Sequence, residues 1–407
     1  MVYPPAVLTD RLTRAGRATE ILRDLVRIES VNPFYPGGER GEVAMAGYLD
    51  EFFRRLGLEP TRQEVLPGRE NVWARLDAAQ AGPAAPTLLL EAHMDTVTLE
   101  PVGAAMLDPQ VRDGRMTGRG SCDTKASLAA MLTALEALAP RQRELAANLV
   151  VLGSVDEEYL MRGIVAFAGG PARLDAAVVG EPTLLNVVRA HKGLVRWTIQ
   201  THGRSAHTSR PEVGDNAIYQ MVELIDALRA ALEPRLAERS HPLLGRPTFT
   251  VSTVHGGLGV NIVPDQCAIA VDRRTLPAEP SAAVIAELHE AVDGITRQRP
   301  HLRVEIEEPF ADIAGLDTPD DHPFVRLVTR VAHAHGGGPT AVGVPYGTNA
   351  PGLAATGVPT VVLGPGDIAQ AHSEDEWVEL DQVERAAELY ADLALRFRGE
   401  AVAARGG

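Results

Sequence analysis

Only two of the 407 residues are cysteine, Cys122 and Cys267. That is too few for the disulfide framework of a small secreted scaffold; one bridge stays open, and nothing in the sequence requires it. Aromatic residues make up 4% of the chain, which argues against a stacking platform for nucleic-acid bases. Basic residues are outnumbered, 39 Lys and Arg against 54 Asp and Glu, for a formal net charge of −15. The broad basic footprint of a nucleic-acid or polybasic membrane binder is therefore missing. No apolar run approaches the ~18 residues of a membrane span. Met1 to Gly16 lacks the apolar core of a secretory leader, so the expected location is cytoplasmic. Neither Gly-x-Gly-x-x-Gly nor a Walker-type phosphate loop occurs. The nearest segment, Gly118-Arg119-Gly120-Ser121-Cys122-Asp123, fails at the third glycine.

What is present reads as a soluble enzyme of two to three domains, at ~150 residues per domain. Four short apolar runs lead at once into polar clusters. Thr87-Leu88-Leu89-Leu90 precedes Glu91-Ala92-His93-Met94-Asp95, and Asn148 to Leu152 precedes Asp156-Glu157-Glu158. Ala176 to Val179 precedes Gly180-Glu181-Pro182, and Pro359 to Leu363 precedes a glycine-rich loop ending at His372. Such runs are strands buried on both faces. Helical patterns over Gly41–Leu56, Lys125–Leu138 and Pro323–His335 lie between them. The alternation implies an α/β layer fold, whose sites gather beyond the carboxyl ends of the strands. The four clusters are expected to converge there.

From about Val188 to Ile306 the pattern changes. Leu194–Gln200 and Thr248–Val254 alternate apolar and polar side chains, Cys267–Val271 and Leu302–Ile306 are further short strands, and Ala217–Leu232 and Ala282–Ile295 are amphipathic helices. That is an α+β unit inserted into the larger domain. The predicted division is 1–187 with 307–407 for the α/β domain and 188–306 for the insertion. Ala78–Pro86 is an expected loop, and Arg398–Gly407 an expected frayed tail.

Each polar cluster has a plain alternative. The His93-Met94-Asp95 spacing points both side chains the same way from an extended chain, so Asp95 would steer a metal-bound His93 ring; equally, it is a strand-end His beside a capping Asp. Asp123, just before a helix, is a metal ligand or an N-cap. Neighbouring Cys122 reads as a small buried hydrophobe. Glu157 and Glu158 diverge from a strand end, so one can bind metal while the other serves as general base; three acids in a row also make an ordinary solvated turn. Glu181 before Pro182, and His372 in its glycine-rich loop, are weak signals alone. Carboxylates mixed with imidazole suit Zn²⁺ and similar ions, and two ions 3.5–4 Å apart can share one carboxylate.

Taken in order, these motifs resemble the dinuclear-zinc amidohydrolase and metallopeptidase family of acetylornithine deacetylase, succinyl-diaminopimelate desuccinylase, aminoacylase and carboxypeptidase G. The likeness runs from about residue 18 to 397 and adds Gly203-Arg204-Ser205-Ala206-His207-Thr208-Ser209-Arg210-Pro211 in the insertion. It implies a zinc-exopeptidase-like α/β catalytic domain with an inserted α+β lid and dimerisation domain. It implies two divalent ions, zinc first, with cobalt or manganese as alternatives. His93 and Glu181 would hold one ion, Glu158 and His372 the other, and Asp123 would bridge them. Glu157 would be the general base and Asp95 the residue orienting His93. His207 would stabilise the oxyanion across a homodimer, Arg274 would grip a substrate carboxylate, and Asn261 would make a polar lid contact. Glu at position 181 favours N-acyl amino acids over peptides as substrate. A metallocarboxypeptidase or dipeptidase is the alternative within the family, and a non-catalytic binding protein the alternative outside it. Gly347-Thr348-Asn349-Ala350 departs from the family's usual acidic residue at that point, leaving the role of Asn349 open.

Overall fold

The central strands form because their side chains are apolar on both faces. In Thr87–His93 and Asn148–Ser154 every residue is buried, as in Ala176–Val179 and Thr360–Val362. The computed structural model describes residues 11–399 except 80, 81, 83, 84, 171 and 172. Much of the expected leader-free N-terminus, part of the Ala78–Pro86 loop and most of the expected tail therefore lie outside the described residues.

The chain divides into two units, one comprising Met1–Arg189, Thr318–Val342 and Thr348–Gly407, the other Ala190–Asp317 and Gly343–Gly347. In the first, six strands run side by side in the order Thr61–Leu66, Arg69–Leu76, Asn148–Ser154, Thr87–His93, Ala176–Val179, Thr360–Val362. The last four are mutually parallel, and Arg69–Leu76 and Thr61–Leu66 close the edge antiparallel. Register pairs His93 with Ser154, so both polar clusters leave the sheet at the same level.

Helices Arg17–Arg27, Lys125–Leu138 and Leu380–Arg396 pack on one another. The first buries Ala18, Ile21, Leu22, Leu25 and Val26, a stripe with the 3.6-residue period of an amphipathic helix. Lys125–Leu138 is buried almost all round, as a helix sandwiched in a core must be. Expected and observed helices agree to within two residues here: Val43–Arg55, Lys125–Leu138 and Pro323–Ala334.

The second unit is an antiparallel sheet ordered Thr248–Gly256, Gln266–Thr275, Gly193–His202, Val304–Ile306, with Ala311–Ile313 also paired to Gly193–His202. Helices Ala217–Ala237 and Ser281–Gln298 pack together, and Met221, Leu224, Leu228, Leu288 and Val292 join Trp197, Ile199, Ile269 and Val271 in its core. Asn216 caps the first of these helices by accepting from Ile218 and Tyr219 N–H. The unit extends past the expected boundary at 306. Ala311–Ile313 continues the same sheet, and the chain returns to the first unit only after Asp317. Among the described residues, no helix is long and apolar enough to cross a membrane.

Candidate metal centre

The parallel strands deliver the polar side chains from their carboxyl ends, all within the first unit. His93 is the last residue of its strand and fully buried. Its Nδ1 lies 2.9 Å from the Asp95 carbonyl oxygen, while the Asp95 carboxylate is 3.6 Å away. The ring is thus oriented by the backbone of Asp95. This corrects the expectation that the Asp95 carboxylate would do it. That carboxylate instead accepts from Glu157 N–H at 3.1 Å, Glu158 N–H at 3.0 Å and the Asn32 side-chain amide at 2.7 Å. Asp95 therefore fixes the pair of glutamates that follows the neighbouring strand.

His93 Nε2, the ring atom left for a ligand, faces Asp123 Oδ1 at 3.1 Å. The other Asp123 oxygen, Oδ2, lies 3.3 Å from His372 Nε2. One carboxylate thus addresses two imidazoles, one from each side. His372 also meets Glu158 at 3.2 Å, and Glu157 and Glu181 each come within 3.9 Å of His93 Nε2. Ligand atoms of His93, Glu157 and Glu181 all lie within 4.8 Å of one another, as do those of His93, Asp123 and Glu158. The six residues expected around the ions are brought together, with Glu157 on the His93–Glu181 side and Glu158 on the His372 side. Asp123 is not the cap of the following helix; Thr124 holds that position.

The electrostatics describe a pocket short of positive charge. Burial pushes the carboxyls of Glu157, Glu158 and Glu181 above their usual range, and their acidic neighbours push further. Burial also works against charge on the two imidazoles, but hydrogen bonds to Asp123 and the surrounding carboxylates outweigh it. His93 rises well above its ordinary value, and His372 rises to about 11. Oxygen and imidazole donors are the set that zinc and similar divalent ions take. Two such ions would balance four ionised carboxylates, so the residues fit the group.

Around this pocket lie residues outside the expected ligand set. Asp156 is not part of a solvated turn: it is buried and paired with Arg69 and Arg162, and Glu42 accepts from both Arg69 and Asp156 N–H. Asn349 is buried, its amide donating to Glu91 at 2.9 Å and to Ser154 Oγ at 3.1 Å. Cys122 is a core residue whose thiol burial pushes far up; Cys122 and Cys267 are both free.

The remaining expected residues belong to the second unit. His207 is exposed, and its Nδ1 accepts from Ser209 N–H at 3.1 Å, which leaves Nε2 to carry a proton. Arg274 is engaged through Nε with Asp272 at 2.8 Å. Asn261 is exposed, and its carbonyl accepts from Thr208 N–H.

The family described as peptidase family M20/M25/M40 matches residues 89–396. A protein named acetylornithine deacetylase from Vibrio campbellii (strain ATCC BAA-1116) is 30% identical over 384 residues, covering 93% of this chain and 98% of that protein. Among solved structures, a tripeptidase from Staphylococcus aureus superposes with TM-score 0.75 at 21% identity, covering 94% of this chain and 99% of that one. An M20-family metallo-carboxypeptidase from Sulfolobus solfataricus gives 0.73 at 18%, with 93% and 98% covered. A dinuclear metal-binding peptidase from Bacillus subtilis gives 0.66 at 16%, with 93% and 97% covered.

Proposed function

The chain belongs to peptidase family M20/M25/M40, and from that premise we propose that it is a two-metal amidohydrolase that removes the acyl group from N-acyl amino acids. The observation that carries the reading is Asp123, whose two oxygens face His93 and His372 at 3.1 and 3.3 Å, the arrangement a bridging carboxylate needs. In this reading Asp123 bridges, His93 and Glu181 complete one site, and Glu158 and His372 the other. When bound, the ions, zinc first and cobalt or manganese as alternatives, acidify a water and polarise the acyl carbonyl.

The chain's own residues do the rest. Glu157, with its carboxyl held above the usual range mainly by burial, takes the proton from the attacking water and hands it to the departing amine nitrogen. Water's oxygen ends on the acyl carbon, the C–N bond breaks, and a carboxylate and an amine leave. His207 Nε2–H stabilises the oxyanion, Arg274 holds the substrate carboxylate, and Asn261 makes a polar contact. The relative named acetylornithine deacetylase and the Glu at 181 support acyl amino acids as the substrate class. The family's peptidases support the second reading, a carboxypeptidase or dipeptidase. A homodimer belongs to the same proposal: Thr248–Gly256 is the open edge of its sheet, and Tyr219, Val222, Val254, Leu258 and Val260 are exposed on the same unit. A cytoplasmic location is part of the same proposal.

The test is a panel of N-acetyl, N-succinyl and N-formyl amino acids beside simple dipeptides, run with chelator and with zinc restored. Chelator-sensitive release of an amino acid from one acyl class is the expected result. Cleavage of dipeptides only would give the second reading. Glu157→Ala should abolish turnover with both metals retained; retained turnover would remove Glu157 from its role. Stoichiometric metal without turnover on any substrate would return the chain to a binding protein.

A further inference from the structure

Glu376 lies outside the ligand set, four residues past His372, and is buried. Its carboxylate is saturated by donors from the loop that carries Asp123. Oε1 accepts from Cys122 N–H at 2.9 Å and Asp123 N–H at 3.0 Å. Oε2 accepts from Gly120 N–H at 2.9 Å and Arg119 Nη1 at 2.8 Å. The Glu376 carbonyl accepts from Gly118 N–H at 3.0 Å and Ser121 Oγ at 3.3 Å. A run of backbone N–H groups around a turn makes a nest for an anion; here the anion is a side chain from the second ligand loop.

The turn is built for this close approach. Gly120 has a φ of +78°, and a Cβ there would lie 2.9 Å from both Lys125 and Thr96 side-chain carbons. The strand Trp377–Glu379 pairs with Arg115–Thr117, Trp377 opposite Thr117, so the two loops enter the clamp from a common ladder. The buried N–H groups have no water to turn to, and losing their acceptor leaves them unpaired.

We propose that Glu376 is a positioning residue for the metal centre: by binding the amides of 120, 122 and 123 it sets the reach between Asp123 and His372. The ion held between those two draws ligands from both clamped loops. The ion at His93 and Glu181 draws two of its ligands from strand ends that Glu376 does not touch. Disturbing Glu376 should therefore weaken one ion far more than the other. The proposal rests on the two-metal reading for the ions, not for the geometry.

The experiment is stepwise metal titration of the chelated full chain and of Glu376→Gln, followed by calorimetry and by the visible spectrum of added cobalt. The Gln amide turns a donor toward N–H groups that need an acceptor. The second equivalent should bind about 10- to 100-fold more weakly, with the first within about threefold of wild type and a changed spectrum for the second only. Amide exchange at Gly120, Cys122 and Asp123 should rise together. Equal weakening of both equivalents would make Glu376 merely structural, and unchanged affinity and spectrum for the second would overturn the proposal outright. If wild type itself takes up no metal, the two-metal reading fails instead. Should Glu376→Gln not fold, Arg119→Met removes one donor in four and leaves the backbone clamp. The same ordering of the two equivalents, at smaller size, is expected; equal affinities for wild type and Arg119→Met would count against the clamp.

Discussion

Replacing Asp95 with Asn tests how the glutamate pair is held. Its carboxylate is fully buried and accepts three N–H groups: Glu157 on Oδ1, Glu158 and Asn32 on Oδ2. Asn keeps the shape but offers one acceptor oxygen. The better placement keeps that oxygen at the Oδ2 position, where it serves two donors, and turns its NH₂ toward Glu157 N–H. One charge-assisted hydrogen bond is lost, about 1.5–3 kcal/mol, and two become neutral, about 1 kcal/mol each. The sum is roughly 3–5 kcal/mol, which at about 2–4 °C per kcal/mol lowers the melting temperature of the first unit by roughly 6–20 °C.

The activity consequence is separable. The freed amide is that of Glu157, the proposed base, and a displacement near 1 Å costs on the order of 100-fold in turnover. The His93 ring is held by the Asp95 carbonyl, which the substitution leaves in place, so affinity for metal at His93 should change little. Thermal melting of the chelated and metal-loaded forms, with kcat measured at saturating metal, decides the matter. If kcat recovers fully once metal saturates, the carboxylate acts through His93 and the argument fails. A melting temperature within about 2 °C of wild type would refute the hydrogen-bond accounting.

Metal uptake should release protons, because His93, His372 and the buried glutamates hold them above their ordinary ranges in the metal-free protein. Calorimetry in two buffers of different ionisation enthalpy should show about one proton per ion, and affinity should rise about tenfold per pH unit. In the chelated protein the His372 contribution to stability is complete below its ordinary 6.5 and is lost as pH rises toward about 11. Asp123, held below its ordinary 3.8, acts oppositely, its contribution being lost as pH falls. The chelated protein should therefore melt highest between the ordinary values of 3.8 and 6.5, where both contributions are complete, a maximum the loaded protein should lack; a flat profile for both forms would contradict it. Val254→Lys, on the open sheet edge, should raise the dimer dissociation constant by about 30-fold in sedimentation with the chain's melting unchanged; a wild type that sediments as a monomer would remove the dimer.

The residues of the proposed metal centre were legible because the backbone forces their positions. An all-buried parallel strand must end in a polar residue where the sheet meets solvent, so His93, the Glu157–Glu158 pair and Glu181 stood out as acids and imidazole after apolar runs. Their supports could not be read the same way. In Glu374-Asp375-Glu376 the three acids look alike, yet only Glu376 is buried, because its neighbours pair with a strand some 260 positions earlier. Asp156 looked like part of a charged turn until Arg69 and Arg162 were seen to neutralise it. The domain boundary slipped for a similar reason: Ala311–Ile313 has no strong pattern of its own and becomes a strand only against Gly193–His202. Periodicity reports what a residue's own segment does with its side chain. A carboxylate whose work is to hold another segment's amides carries no such local mark, so the supports of a site have to be sought in buried acceptors that the pattern leaves unexplained.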